Sequence, residues 1–137
     1  MREKQNSMAF LDIETTGLEP KRDRIIEIAV FVLKFDSKTH QGMASLVNPG
    51  VELPQFIVRY TGITQAMLSE APGPEVLHEA FDLIADQTVA AYNVAFDTSF
   101  LVEEARRLGR SFNNDRLCVM ELAQELNRPG FRGGFNL

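Results

Sequence analysis

A short apolar segment that ends in two carboxylates constrains the fold of this chain more than any other feature. Residues 8–13 read MAFLDI, and Glu14 follows them directly. A nearly continuous apolar run of this length is typical of a β-strand that is buried on both faces of a sheet. Side chains two residues apart on a strand point to the same face, so we expect Asp12 and Glu14 to lie side by side, with Ile13 turned into the core.

The remaining hydrophobic pattern predicts a mixed sheet with helices on its faces. Apolar, β-branched and aromatic residues indicate five strands, at 8–13, 25–35, 43–47, 88–92 and 116–119. Helical spacing, caps and breakers indicate four helices, at 64–70, 75–86, 97–108 and 120–126. An antiparallel meander comes first, and helix–strand alternation follows. This order predicts an α/β fold in a single domain over residues 1–137.

The acidic residues suggest a metal site. Functional side chains in such sheets gather where strands end, and Asp12 and Glu14 lie at such an end. Their mutual repulsion is relieved by a divalent cation, and hard oxygen ligands favour Mg²⁺ or Mn²⁺. Asp97 follows another strand and begins a helix, where the helix dipole stabilises an anion. Two simpler interpretations stay open at this point: one acid of the pair is exposed while the other caps the next turn, and Asp97 is only a helix-start residue.

The segment after the two acids has the composition of a tight turn with free hydrogen-bonding groups. It reads Thr15-Thr16-Gly17-Leu18, and Gly17 permits a close approach of the backbone. The hydroxyl and N–H groups suit a phosphate or a sugar, but ordinary turn chemistry accounts for the same residues. The segment alone therefore does not decide between the two.

Composition narrows the classes of function. The net charge of −5 disfavours a broad nucleic-acid-binding surface, although cations held by carboxylates can meet a phosphate. Arg106, Arg107 and Arg110 form a small basic cluster, which fits a solvated helix face or a contact with a phosphate backbone. No apolar run approaches the roughly 20 residues that span a bilayer, and the N-terminal residues are polar. The lone Cys118 fits a reducing compartment, so we expect a cytoplasmic protein without a membrane partner.

Taken together, the motifs resemble the DnaQ-like exonucleases, the DEDD superfamily that includes the proofreading subunit of bacterial DNA polymerase III. The strings that carry the resemblance occur in the family's order and spacing: FLDIETTGL, IIEIA, NPG, LP with TGIT, and AYNVAFD followed by FL. Residues 12–17 match the first exonuclease motif in full, and residues 93–97 resemble the second, with Tyr92 where the family often has histidine. The resemblance implies an RNase H-like fold and a 3′→5′ exonuclease of the proofreading or repair type.

The resemblance also implies roles for individual residues. Asp12, Glu14 and Asp97 would be the catalytic acids and would hold two ions, Mg²⁺ or Mn²⁺, with Asp12 bridging them. The 3′-terminal nucleotide would lie against a substrate-binding set consisting of Thr15, Thr16, Gly17, Leu18, Ile63 and Asn93. The implied substrate is the 3′ end of single-stranded DNA, with RNA second, and the implied partner is a DNA polymerase or a repair complex.

The family's third motif, a fourth acid and a histidine or tyrosine base on a late helix, has no counterpart in this sequence. Residues 135–137 resemble the segment that leads into this helix, so we expect a domain truncated before the third motif, without its C-terminal helix and weak or inactive alone. We expect His40 and His78 to be solvent-facing structural residues. Three interpretations remain: a fragment of an exonuclease, a catalytically incomplete module that binds nucleic acid or a protein partner, and a site completed by another chain.

Overall fold

A five-stranded sheet forms the centre of the computed structural model, which describes residues 6–129. Its strands are β1 (Ser7–Thr15), β2 (Ile25–Lys34), β3 (His40–Leu46), β4 (Thr88–Ala91) and β5 (Arg116–Cys118). They lie in the order β3-β2-β1-β4-β5. The first three strands pair antiparallel, and β4 and β5 run parallel to β1. The predicted mixed sheet, an antiparallel meander followed by parallel strands, is confirmed.

Strand β1 is buried on one face only, which corrects the expectation of burial on both faces. Ala9, Leu11 and Ile13 point into the core and are at most 6% exposed. Phe10 is 37% exposed, and Asp12 is exposed as well. The alternation follows from the period of two residues along a strand. It places Asp12 and Glu14 on the open face and turns Ile13 away from them, as the sequence predicts.

Within residues 6–129, five α-helices accompany the sheet. They are α1 (Gln55–Thr61), α2 (Gln65–Ser69), α3 (Leu77–Ile84, after a 3₁₀ turn at Pro74–Val76), α4 (Val94–Arg107) and α5 (Val119–Leu126). Helix α3 packs against β2 and β3, and α4 packs against β1, β4 and β5. The main core fills the space between them, with Phe100 and Leu101 of α4 fully buried. Between residues 6 and 129, no helix combines the length and the apolar character needed to cross a membrane.

Helix α1 is an element that the hydrophobic pattern did not predict. It begins after Pro54 and ends at Gly62, whose φ of 77° is left-handed and whose N–H donates to the Val58 carbonyl at 2.9 Å. Proline before a helix and glycine after it are the usual boundary signals. The seven-residue helix contains few strong helix formers. It is held by a second apolar cluster, made up of Ile26, Leu53, Ile57, Ile63 and Leu68.

Candidate active site

A cleft of about 700 Å³ opens at the carboxyl end of β1. Its lining comes from the end of β1, the loop that follows, helix α1, the turn after β4 and the first turn of α4. Because β1 and β4 are parallel and Phe10 lies opposite Ala90, both strands leave the sheet at the same edge. This geometry brings the first predicted motif, which begins at Asp12, and the second motif, which begins at Asn93, to one place.

The three predicted acids all line this cleft. Strand β1 presents Asp12 and Glu14 on one face, and Asn93 is the N-cap of α4, so that Asp97 lies in the first turn of that helix. Burial raises the pKa of Asp97 to about 6; backbone hydrogen bonds at Asp97 and Ile13 partly offset the rise, and the charges of Asp12 and Glu14 add to it. The three carboxylates therefore act on one another electrostatically.

The pKa of Glu14 is also raised, by less than that of Asp97. Burial raises its pKa, and the charges of Asp12 and Glu27 raise it further. Glu27 lies directly opposite Glu14 on β2 but does not line the cleft. The acidic end of the cleft thus carries more negative charge than its surroundings neutralise, which favours a bound cation.

The donor set suits a hard divalent ion. Carboxylate oxygens are the ligands that Mg²⁺ and Mn²⁺ prefer, and Asp12, Glu14 and Asp97 supply them from two rigid elements. Within the described part of the chain, however, no three histidine, cysteine or acidic side chains come together as a complete ion-binding group. The fit of the site to a divalent cation therefore rests on the chemistry of these oxygen donors and on their position in one cleft.

Four of the six predicted substrate-binding residues line the cleft. They are Thr15, Gly17, Leu18 and Asn93. Leu18 is 77% exposed, and the Thr15 hydroxyl donates to the Gly17 carbonyl at 2.7 Å. A Cβ atom at Gly17 would collide with the carboxylate of Asp23, so a larger residue there would require the Asp23 side chain to move.

The structure does not bring Thr16 and Ile63 to the cleft. The Thr16 hydroxyl turns into its own loop, where it accepts from the Arg24 N–H at 3.0 Å and donates to Asp23 at 3.3 Å. Ile63 is 4% exposed and packs in the second apolar cluster with Ile57 and Leu68. Ile63 follows the C-cap of α1. Its side chain packs in the core, where it supports α1 and does not face the cleft.

Aromatic side chains form one wall of the cleft, which the sequence analysis did not predict. Phe56 and Tyr60 of α1 line the cleft although they are 58% and 84% exposed. Tyr92, which is 71% exposed, and Phe96 line it from the side of α4. The available signal was a pair of aromatic residues four apart, which share one face of a helix, between Pro54 and Gly62.

The basic cluster and the two histidines lie elsewhere. Each arginine of the cluster pairs with an acid: Arg106 with Glu103, Arg107 with Glu104, and Arg110 with Asp82. The His40 ring lies 5.1 Å from the Phe31 ring, and His78 Nδ1 lies 3.2 Å from an Arg110 nitrogen. None of these five basic side chains lines the cleft.

Comparison with known proteins identifies related sequences. Residues 9–133 match a family model described as RNase_T, exonuclease. The chain is 34% identical over 123 residues to a PolC-type DNA polymerase III of Caldanaerobacter subterraneus, covering 89% of this chain and 9% of the relative. It is 34% identical over 128 residues to the 3′-5′ exonuclease DinG of Bacillus subtilis, covering 90% and 13%. The ε subunit of DNA polymerase III from Aquifex aeolicus is 31% identical over 128 residues, covering 92% and 62%. The chain thus spans less than two thirds of each of these relatives.

Solved structures share the fold. An exonuclease I from Methylocaldum szegediense superposes with a TM-score of 0.79 at 21% identity, covering 93% of this chain and 30% of that one. A complex of Escherichia coli exonuclease I with single-stranded DNA gives a TM-score of 0.82 at 18% identity, covering 94% and 31%. The predicted RNase H-like architecture is confirmed. Residues 135–137, on which the expectation of an unfinished domain rests, lie outside the described residues.

Proposed function

Since this chain belongs to the exonuclease family whose model it matches over residues 9–133, we propose that it hydrolyses nucleotides from the 3′ end of single-stranded DNA. The observation that carries this proposal is a single cleft with three acids at one end and exposed aromatic side chains along its wall. Acids that hold cations suit the scissile phosphate, and aromatic rings suit unpaired bases. Relatives named as a 3′-5′ exonuclease and as DNA polymerase III subunits support the same activity.

The acidic end would perform the hydrolysis. Two divalent cations, when bound, supply an activated water and stabilise the leaving 3′-oxygen. Asp12 would contact both, Glu14 would hold the one on the side of the water, and Asp97 would hold the other. Asp97 is fixed by its place in the first turn of α4 and by a backbone hydrogen bond at Ile13, so its carboxylate needs little reorganisation to bind.

The opposite walls would hold the terminal nucleotides. Leu18 extends from the loop after β1, and Phe56 and Tyr60 extend from α1 on another side of the same cleft. A base stacked on these apolar faces is bound without reading its edge, so the proposed cleavage is independent of sequence. Because a duplex end presents no separated base to stack, single strands are the proposed substrate. RNA is the second substrate to test.

The decisive experiment is a degradation assay with a matched variant. The purified chain is incubated with 5′-labelled single-stranded DNA and Mn²⁺, beside Asp12→Ala. A ladder that shortens from the 3′ end and is absent with the variant supports the proposal. If neither this chain nor a longer one that contains it shortens the DNA, the proposed activity is wrong.

We expect the 137-residue chain to be a slow enzyme by itself. The family's third motif supplies a general base, and its loss lowers a rate by about 10²–10⁴-fold. The initial rate of 3′-end hydrolysis should therefore be lower by about this factor than that of a chain extended through the third motif. Equal rates for the two chains would contradict this prediction and would indicate that the base comes from this chain or from a second copy.

The aromatic wall gives a second prediction. Phe56→Ala is expected to weaken the binding of a thymidine hexanucleotide by at least about 1 kcal/mol, or roughly fivefold in Kd, because stacking on one base contributes about 1–3 kcal/mol. Fluorescence anisotropy with a labelled strand measures the change. Phe35→Ala is the matched control, since Phe35 is 59% exposed and lies outside the cleft. Equal losses for both variants would rule out a specific stacking wall.

A module that binds single strands without cleaving them is the alternative. It is favoured by the lack of a closed group of three metal-binding side chains among residues 6–129. Such a module would bind the hexanucleotide equally well with and without Mn²⁺, and Asp12→Ala would leave its affinity unchanged. The names of the relatives support a DNA polymerase or a repair complex as the proposed partner, and the proposed location is the cytoplasm.

A further inference from the structure

Glu104 is a deeply buried acid that the proposed chemistry does not use. It lies on α4, seven residues after Asp97, and is 1% exposed. Arg24 donates to both of its oxygens, from Nε to Oε1 at 2.7 Å and from Nη2 to Oε2 at 3.0 Å. Arg107 donates to Oε1 at 3.0 Å, and the Ile25 N–H lies 3.4 Å from the same oxygen. A buried carboxylate of this kind persists because several donors compensate its desolvation.

The two arginines connect Glu104 to the loop between β1 and β2, residues 16–24. The main chain of Arg24 closes that loop, since the Thr16 N–H donates to its carbonyl at 2.9 Å and its own N–H donates to the Thr16 hydroxyl at 3.0 Å. Arg107 reaches the middle of the loop, where its Nη2 donates to the carbonyls of Pro20 at 3.1 Å and Lys21 at 3.0 Å. Both the middle and the end of the loop are therefore attached to α4 by way of one carboxylate and its partners.

The loop is also braced internally. The Asp23 carboxylate accepts from the Glu19 N–H at 2.9 Å and from the Thr16 hydroxyl at 3.3 Å, and it occupies the space beside Gly17. Displacing the loop at Arg24 would consequently displace Gly17 and Leu18 with it. These two residues form one wall of the cleft, and the Leu18 side chain is 77% exposed, so its place depends on the loop that carries it.

We propose that Glu104 is a positioning residue, which holds the Leu18 wall of the cleft at a fixed place relative to the helix that carries Asp97. The inference rests on the proposed function, because the wall matters only if the cleft binds a nucleotide strand. Helix α4 then has two tasks two turns apart: its first turn supplies an acid, and Glu104 fixes the loop that faces the acid. Orientation of this kind matters because a displacement of about 1 Å can lower a rate by about 10²-fold.

The test compares Glu104→Gln with Glu103→Gln. Glutamine keeps the size of Glu104 but places an amide donor against the arginine donors, whereas Glu103 is the neighbouring acid in a more exposed pair with Arg106. Affinity for a 5′-fluorescein-labelled thymidine hexanucleotide is measured by anisotropy in Ca²⁺, affinity for Mn²⁺ by calorimetry, and loop mobility by amide hydrogen exchange over residues 16–24. All three use the full chain.

Glu104→Gln is expected to raise the Kd for the hexanucleotide about tenfold and to leave the Kd for Mn²⁺ within about twofold, because the acids stay on β1 and α4. Exchange in the loop should become at least about tenfold faster, with β1 unchanged. Glu103→Gln should alter none of these quantities. Unchanged DNA affinity, or a loss of Mn²⁺ affinity as large as the loss of DNA affinity, overturns the inference.

A second variant covers the case in which Glu104→Gln does not fold. Arg107→Gln leaves the Arg24–Glu104 pair in place and removes the contacts of Arg107 to Glu104 and to the Pro20 and Lys21 carbonyls. Its Kd for the hexanucleotide should rise about threefold, and an unchanged Kd overturns the inference. A wild-type chain that binds no hexanucleotide contradicts the proposed function instead, and so the two failures are distinguishable.

Discussion

Replacing Asp12 by asparagine is expected to lower the rate of 3′-end hydrolysis by at least about 10³-fold, measured in a chain that extends through the third motif. The reason is that metal ions contribute several kcal/mol to such reactions and that each 1.4 kcal/mol corresponds to a factor of ten. Asp12 acts on both of the other acids, because its charge raises the pKa of Glu14 and of Asp97. Its loss would weaken the binding of both ions.

Glu27→Gln is the matched control for this prediction. Glu27 lies on the strand next to β1, opposite Glu14, but it does not line the cleft. Its removal takes a negative charge from the same face of the sheet without taking a ligand. We therefore expect Glu27→Gln to retain the rate within about threefold and to retain Mn²⁺ binding in calorimetry. If Asp12→Asn keeps both the rate and the Mn²⁺ affinity, the assignment of Asp12 as a metal ligand is wrong.

The parts of the site that the sequence predicts are those set by local geometry. Asp12 and Glu14 share a face because they are two residues apart on a strand, and Asp97 lies near a helix start that follows the next parallel strand. The end of β1 and the start of α4 then meet because parallel strands finish at the same edge of the sheet. Local spacing therefore places each acid on its own element, and the pairing of β1 with β4 brings Asp97 to the other two.

The parts that the sequence did not predict depend on tertiary packing. The motif match suggests that Thr16 faces a nucleotide, but the Thr16 hydroxyl is taken by Asp23 and Arg24, which come seven and eight residues later. Ile63 is buried in the core because it packs against the apolar residues of α1 and α2. Helix α1 itself escaped prediction because β-branched and aromatic residues dominate it, so that its stability comes from burial of Ile57 more than from local propensity.

Asp97→Asn is expected to stabilise the fold in EDTA at pH 7.5 while it abolishes hydrolysis. The pKa of Asp97 is raised from 3.8 to about 6. The native state therefore binds more protons than the unfolded state between these values, and stability falls as the pH rises through this window. Above pH 6 the charged carboxylate destabilises the native state by about 1–2 kcal/mol, a value reduced from the full shift because the group borders an open cleft. Asparagine removes that charge and keeps an oxygen that can accept the backbone hydrogen bonds.

Thermal unfolding of the wild-type chain and of Asp97→Asn tests the direction of this change in stability. In EDTA at pH 7.5, Asp97→Asn should unfold about 3–6 °C higher than the wild type, and the difference should vanish below about pH 3, where the wild-type carboxyl is protonated in both states. Glu79→Gln, at an exposed position on α3, should show no such pH dependence. Mn²⁺ should reverse the order, because an ion that binds only the native state stabilises the chain that binds it more tightly. If Asp97→Asn is less stable than the wild type in EDTA, the carboxylate of Asp97 serves the stability of α4. If the variant is more stable in EDTA and Mn²⁺ reverses the order, the fold tolerates an unfavourable charge in order to bind a cation.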